Sequence, residues 1–293
     1  MSAANAPPAA AAVAAIAADF RAGIFFDNAR IHIEQVQHSC PRNVMAVKVD
    51  ETTGVFYDSY GQRSSTPVAR FDQEPMVSYL TAVGPNAYQR FLASCGYIEE
   101  TYDSRSGIGA AHIEMGRAWL AATAAMTPRV ALFDWDRTIS KIEGTYDLRD
   151  RALAPCLERF YAEEPTQTYQ TVIDDAVVYF CGGAERLELI RAFMRELNDA
   201  GVSIFILTNN GNCGGDFYND LVRSFFAGIP YAGVICSAKV ANPITGHRGD
   251  KGAALVGRPQ LTSICTRYGG ARKKRGSTKK RRSSRRRRSN VRR

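Results

Sequence analysis

The chain has 293 residues, of which 45% are hydrophobic, and it carries a formal net charge of +9. This length and apolar content suffice for a sizeable core, so the composition excludes a wholly disordered chain. Membrane insertion and secretion are disfavoured, because no segment has the roughly 18 to 20 unbroken apolar residues of a membrane span and residues 1–18 lack the basic start of a secretory signal.

The first 127 residues show a mixed pattern. Residues 1–19 are rich in Ala and Pro and are predicted to be a flexible leader, and 20–127 are predicted to form an α+β accessory region. Val44–Val49 and Gly54–Tyr60 flank a polar stretch, which predicts a β-hairpin.

Helical patterns follow the hairpin at 76–95 and 110–125. The same region holds His32, His38 and His112, which could form a three-histidine metal site. Histidines at these separations are more commonly surface or packing residues, so the prediction favours no metal role for them.

The most informative segment is an apolar run over 130–133 that ends at Asp134 and Asp136. A run of this kind predicts a parallel strand buried on both faces, with the two aspartates at its carboxyl end. Open α/β sheets place their ligand sites at that edge. Two carboxylates held close together can divide their roles, one acting as nucleophile or metal ligand and the other as general acid and base.

A second apolar run, Val202–Leu207, ends at Thr208, which is followed by Asn209 and Asn210. Before it, apolar residues recur at helical spacing and Gly201 supplies a C-terminal stop. A helix that leads into a strand is the next unit of a right-handed βαβ array. The predicted fold is therefore α/β, with a parallel sheet and flanking helices. The helical positions are Leu187, Ile190, Met194 and Leu197.

These residues resemble the haloacid-dehalogenase-like (HAD) superfamily of phosphohydrolases that use an aspartate nucleophile. The family's first motif, Asp-x-Asp-x-Thr/Val, is matched by Asp134, Asp136 and Thr138, and its second, a Thr or Ser that ends the next strand, by Thr208. The third, a Lys near the start of a later helix, is matched by Lys251, with Lys239 as a weaker candidate. The amino-acid sequence around Trp135 also resembles that of HAD-like proteins of large DNA viruses.

The resemblance covers residues 128 to about 265 and implies a Rossmann-like core over 128–268. It also implies a small helical cap, inserted at about 142–183. A small cap shields the site poorly, so large phosphoesters are admissible substrates.

The implied mechanism has Asp134 as the nucleophile and Asp136 as the general acid and base, with Thr208 and Lys251 holding the phosphoryl oxygens. Mg²⁺ is the implied cofactor, bound by the Asp134 carboxylate and the Asp136 backbone carbonyl. The predicted substrate is a phosphomonoester. Its binding residues are predicted to be Thr138, Asn209 and Asn210.

One feature departs from the family pattern. The fourth motif is an acid at the end of a further strand, but the candidate strand Leu261–Cys265 is not followed by an acid, and no Asp or Glu occurs after Asp250. The sequence therefore predicts an incomplete metal site, weak Mg²⁺ binding and impaired turnover. The alternative function is a weakened or inactive HAD-like module that binds anionic partners.

The basic charge is concentrated at the C-terminus. Residues 271–293 contain 14 Lys and Arg and no acid, so residues 1–270 carry 24 basic against 29 acidic side chains, a net charge of −5. Such a segment repels itself, so 269–293 is predicted to be a disordered tail. It is expected to attract nucleic acid and resembles nuclear-localisation patches. The alternatives are a nonspecific solvated tail or a remnant of an original C-terminus that carried the fourth motif.

The seven cysteines are scattered and odd in number, which favours an intracellular, reducing compartment. The basic tail adds the nucleus as a candidate location.

Overall fold

The computed structural model describes residues 22–40, 43–49, 55–57, 84–96, 107–142, 153–243, 245–262 and 264–265. Its strands are β1 (Gly23–Asp27), β2 (Val44–Lys48), β3 (Val55–Tyr57), β4 (Arg129–Phe133), β5 (Val202–Thr208) and β6 (Gly233–Cys236). Its helices are α1 (Arg30–Ser39), α2 (Ala87–Ser94), α3 (Ala110–Ala122), α4 (Ala154–Glu163), α5 (Tyr169–Cys181), α6 (Ala184–Asp199), α7 (Asp216–Phe225) and α8 (Lys251–Leu255). The predicted leader and basic tail lie outside the described residues.

The strands form one sheet in the order β3-β2-β1-β4-β5-β6. All neighbouring pairs are parallel except β2 and β3, which pair antiparallel as the hairpin prediction requires. The predicted α/β fold with a parallel sheet is confirmed. The predicted boundary at residue 128 falls inside this sheet, because β1 lies between β2 and β4. The strands of the predicted accessory region therefore belong to the core.

Helices cover both faces of the sheet. Side chains alternate along each strand, so Phe26 and Phe133 face the larger layer, whereas Phe25 and Leu132 face a smaller layer that contains α1 and α8. In the larger layer the ring of Phe26 stacks on that of Phe133 with centroids 4.8 Å apart, and Phe193 of α6 meets both rings edge-on. These ring contacts stabilise the pairing of β1 with β4.

The predicted helices are present, although their ends differ from the predicted spans by a few residues. The helix through Leu187 and Leu197 is α6, and the 110–125 pattern is α3. The 76–95 pattern corresponds to α2, although 76–83 lie outside the described residues. The predicted cap segment contains α4 and α5, and α5 packs on α2, α6 and α7.

The predicted strand over 261–265 is wrong. Pro259–Leu261 is a 3-10 helix, and the backbone N–H groups of Ile264 and Cys265 donate to the carbonyl of Leu261 over 3.0 and 2.8 Å. Leu261, Ile264 and Cys265 are buried at helical-turn spacing in the smaller layer. A short apolar run does not distinguish a strand from a buried turn, which explains the error.

Four of the seven cysteines are paired in disulfides, Cys40 with Cys265 and Cys213 with Cys236. The first disulfide joins the end of α1 to the turn after the 3-10 helix, and the second joins the loop after β5 to the end of β6. Among the described helices, none is long and apolar enough to cross a membrane.

Candidate active site at the carboxyl edge of the sheet

Asp134 and Asp136 follow β4 as the sequence predicts. Asp134 is buried, and its backbone N–H donates to the Phe26 carbonyl over 2.9 Å. The chain then turns tightly over Trp135–Ile139, where Asp136 has an extended backbone and Arg137 has a positive φ of 55°. The buried Trp135 ring packs edge-on against Tyr218 and Phe225 of α7. This anchor fixes the turn, so that both carboxylates line one cleft.

Thr208 ends β5, as predicted, but its side chain lies behind the cleft. It is buried, and its hydroxyl accepts a hydrogen bond from the Asn210 backbone N–H over 3.1 Å. The Asn210 side chain donates to a carboxylate oxygen of Asp136 over 3.1 Å, and Asn209 lines the cleft itself. Thr208 therefore shapes the turn that brings Asn209 and Asn210 to Asp136.

Lys251 is the first residue of α8 and is fully buried. Its Nζ lies 2.5 Å from an oxygen of Asp134 and 2.6 Å from an oxygen of Asp27. Gly252 allows α8 to pack closely on α1, because a Cβ there would clash with the Gln35 carbonyl. Lys239, the weaker candidate, is exposed. Lys251 is thus the lysine that reaches the aspartates.

Thr138 lies under the cleft rather than in it. It is fully buried, and its hydroxyl accepts a hydrogen bond from the Asn28 backbone N–H over 3.1 Å. Its backbone carbonyl accepts from Ile108 N–H and from Arg186. These contacts hold the turn after β4 against the loop after β1, so the Thr138 side chain stabilises the backbone next to the cleft.

Asp27 is a site residue that the sequence prediction missed. It ends β1, next to β4 in the sheet, where Phe26 is in register with Phe133, and this places it beside Asp134. It is fully buried. The sequence predicts a metal site that lacks a further carboxylate, and Asp27 is such a carboxylate beside Asp134. The acid comes from a strand that precedes β4 in the chain, not from one that follows Lys251.

A signal for Asp27 exists in the sequence. Gly23-Ile-Phe-Phe-Asp27 is an apolar run that ends in an aspartate, as is Val130–Asp134. The family's chain order directs the search to residues beyond Lys251, and β1 lies far upstream of them. A short apolar run that ends in an acid is therefore the sequence signal that identifies Asp27.

His32 completes a group of possible metal ligands. Its Nδ1 lies 3.2 Å from each carboxylate oxygen of Asp27, and its side chain is 16% exposed. Ligand atoms of Asp27, His32 and Asp134 all lie within 4.8 Å of one another, so these residues could hold a metal ion. The predicted metal role of Asp136 concerns its backbone carbonyl and stays a prediction.

Burial and charge shift the pKa values of these groups. Burial raises the pKa of Asp134 well above its usual value, and Asp27 and Asp136 raise it further, against the opposing effect of Lys251. Burial also acts to raise the pKa of Asp27, but Lys251 and His32 outweigh it and lower that pKa. The two carboxylates outweigh burial at Lys251 and raise its pKa. Lys251 is accordingly charged at neutral pH.

The cleft is open to solvent and has a volume of about 320 Å³. It combines a buried carboxylate that can act as a nucleophile, a second carboxylate placed for proton transfer, and a fixed positive charge beside them. Its lining residues are Asn28, Ala29, His32, Asp134, Asp136, Arg137 and Asn209.

Comparison of the chain with protein-family models, with curated proteins and with solved structures found no match.

Proposed function

We propose that the chain is a divalent-metal-dependent phosphomonoester hydrolase that works through an aspartyl-phosphate on Asp134. The observation that carries this proposal is the meeting of Asp134, Asp27 and Lys251 at the carboxyl edge of the sheet, with Asp136 on the same cleft. The order of Asp134, Asp136, Thr208 and Lys251 along the chain also matches the HAD-like motifs.

In the first step, a carboxylate oxygen of Asp134 bonds to phosphorus and the phosphorus–oxygen bond to the leaving group breaks. Asp136, in its protonated form, gives its proton to the leaving oxygen. Lys251 offsets negative charge beside Asp134, which lowers the repulsion between the Asp134 carboxylate and the substrate phosphate.

In the second step, Asp136 removes a proton from a water molecule that attacks phosphorus, which releases phosphate and restores Asp134. Asn210 keeps the Asp136 carboxylate in place through its side-chain amide. Asn209 lines the cleft and can donate to a phosphoryl oxygen.

The residues of the cleft fit a divalent cation. Ligand atoms of Asp27, His32 and Asp134 lie within 4.8 Å of one another, a spacing that one bound ion can bridge. Asp27 and Asp134 would hold the ion, and Asp27 supplies the charged ligand that the sequence prediction lacked. A bound Mg²⁺ would neutralise charge on the phosphate as the aspartate approaches.

The alternative, a weakened or inactive module that binds anionic partners through its basic tail, stays a prediction. The position of Asp27 beside Asp134 supports the hydrolase over it. Nucleic-acid binding by residues 271–293 stays a prediction, because the tail lies outside the described residues. Because the cleft is open to solvent, it admits phosphomonoesters carried on large molecules as well as small ones.

The test is hydrolysis of p-nitrophenyl phosphate with Mg²⁺ or with EDTA. We expect metal-dependent turnover that falls at least about a thousandfold in Asp134→Asn. The matched control is Asp199→Asn, at the exposed end of α6, which should keep full activity. Equal turnover in Asp134→Asn and Asp199→Asn would overturn the proposal.

A further inference from the structure

We propose that His32 is a metal ligand in this cleft, so that the site prefers a transition-metal ion such as Co²⁺ or Mn²⁺ over Mg²⁺. This inference rests on the proposed function, because it concerns the cation of the same site. It goes beyond the motif resemblance, which provides oxygen ligands alone.

The position of His32 is fixed by the start of α1. Only Asn28 and Ala29 separate β1 from α1, and the Ala29 backbone N–H donates to an oxygen of Asp27 over 2.7 Å. The backbone N–H of His32 donates to the Ala29 carbonyl over 3.1 Å. This short connection turns the imidazole back over the end of β1, on the same side as the Asp27 carboxylate.

The imidazole nitrogen is placed to share an ion with Asp27. Nδ1 lies within hydrogen-bond distance, 3.2 Å, of both Asp27 oxygens, a contact that an ion shared by the two side chains would replace. Together with Asp134 they form a group whose ligand atoms lie within 4.8 Å of one another. The side chain also lines the open cleft, so an ion entering from solvent would meet it. The ligands are therefore two carboxylates and one imidazole.

This donor set determines which ions the site prefers. Mg²⁺ prefers oxygen ligands and binds few nitrogen atoms in proteins. An imidazole ligand favours later first-row transition metals, whose affinity for nitrogen and oxygen sites rises from Mn²⁺ through Co²⁺ to Cu²⁺. Removal of His32 should therefore weaken Co²⁺ binding far more than Mg²⁺ binding, because Asp27 and Asp134 remain.

The first experiment measures the affinities of the full chain for Co²⁺ and Mg²⁺ by titration calorimetry. His32→Ala should weaken Co²⁺ binding by at least about tenfold and leave Mg²⁺ affinity nearly unchanged. The matched control is His38→Ala, on the exposed last turn of α1, which should change neither. Equal Co²⁺ affinity in His32→Ala and the unmodified chain would overturn the inference.

The second experiment needs no variant, so it decides the question even if His32→Ala fails to fold. Pulsed electron paramagnetic resonance on the Mn²⁺-loaded chain should detect a directly bound imidazole nitrogen. Bound Mn²⁺ without nitrogen coupling would overturn the role of His32, and so would a failure of the chain to bind Mn²⁺. Bound Mn²⁺ without nitrogen coupling leaves Asp27 and Asp134 as the ligands, and Mg²⁺-dependent hydrolysis of p-nitrophenyl phosphate, measured separately, would show that the proposed function still stands.

Discussion

Replacing Lys251 by Met tests the charge arrangement of the cleft directly. In the folded chain Nζ contacts Asp134 over 2.5 Å and Asp27 over 2.6 Å, and Lys251 and Asp27 are fully buried. Removing one partner of a buried ion pair typically costs about 3 to 5 kcal/mol, because the remaining charge is left uncompensated. The pKa of Asp134 is already raised by burial, so Asp134 can take up a proton, and we expect the lower end of that range.

A loss of about 3 kcal/mol corresponds to a fall of roughly 6 to 12 °C in Tm for a domain of about 150 to 250 residues. Thermal unfolding followed by circular dichroism at neutral pH, with EDTA present, measures it. Lys239→Met is the matched control, because Lys239 is exposed and a surface change of this kind stays within about 0.5 kcal/mol.

The stability difference between Lys251→Met and the unmodified chain should change with pH in a defined direction. In the unmodified chain the lowered pKa of Asp27 contributes stability that is lost as the pH falls through that value. In Lys251→Met two buried carboxylates face each other, their pKa values rise, and the folded state gains stability on acidification. The gap between the two proteins should therefore narrow from neutral to mildly acidic pH. A Tm for Lys251→Met equal to that of Lys239→Met at neutral pH would refute the reasoning.

Asp27→Asn should weaken binding of any divalent cation at least about tenfold by calorimetry, because it removes a buried charged ligand; unchanged affinity would exclude Asp27 as a ligand. Phe193→Ala should cost about 3 to 5 kcal/mol in urea unfolding, because the ring is fully buried against Phe26 and Phe133; a cost below 1 kcal/mol, on the order of one buried methylene, would contradict that packing. Removal of residues 271–293 takes away 14 cations and should abolish most nucleic-acid binding at low salt, and equal gel-shift affinities would refute it.

The parts of the fold that the sequence predicts are those with local signals. Local patterns predict two strands and one helix independently of the rest of the chain. They are the apolar run before Asp134, the apolar run before Thr208 and the helical spacing from Leu187 to Leu197. The hairpin of β2 and β3 was predicted in the same way, from two apolar runs around a polar turn.

The place of β1 in the sheet has no local signal. Strand order depends on which apolar faces pack, and Phe26 stacks on Phe133 across more than a hundred residues of chain. The site also combines local and long-range features. Motifs in the sequence predict Asp134, Asp136 and Lys251. Asp27 and His32 reach the cleft only because β1 pairs with β4. Thr138 and Thr208 matched the motifs, yet their hydroxyls are used in backbone contacts.

The central claim is that Asp134 carries the phosphoryl group, and borohydride trapping tests it most directly. Borohydride reduces an acyl phosphate, so an aspartyl-phosphate formed during turnover of p-nitrophenyl phosphate with Mg²⁺ is converted to homoserine, which mass spectrometry locates in the sequence. We predict homoserine at position 134, dependent on substrate and absent from Asp134→Asn. Reduction at Asp136 or elsewhere, or none at Asp134 while phosphate is released, would contradict the account.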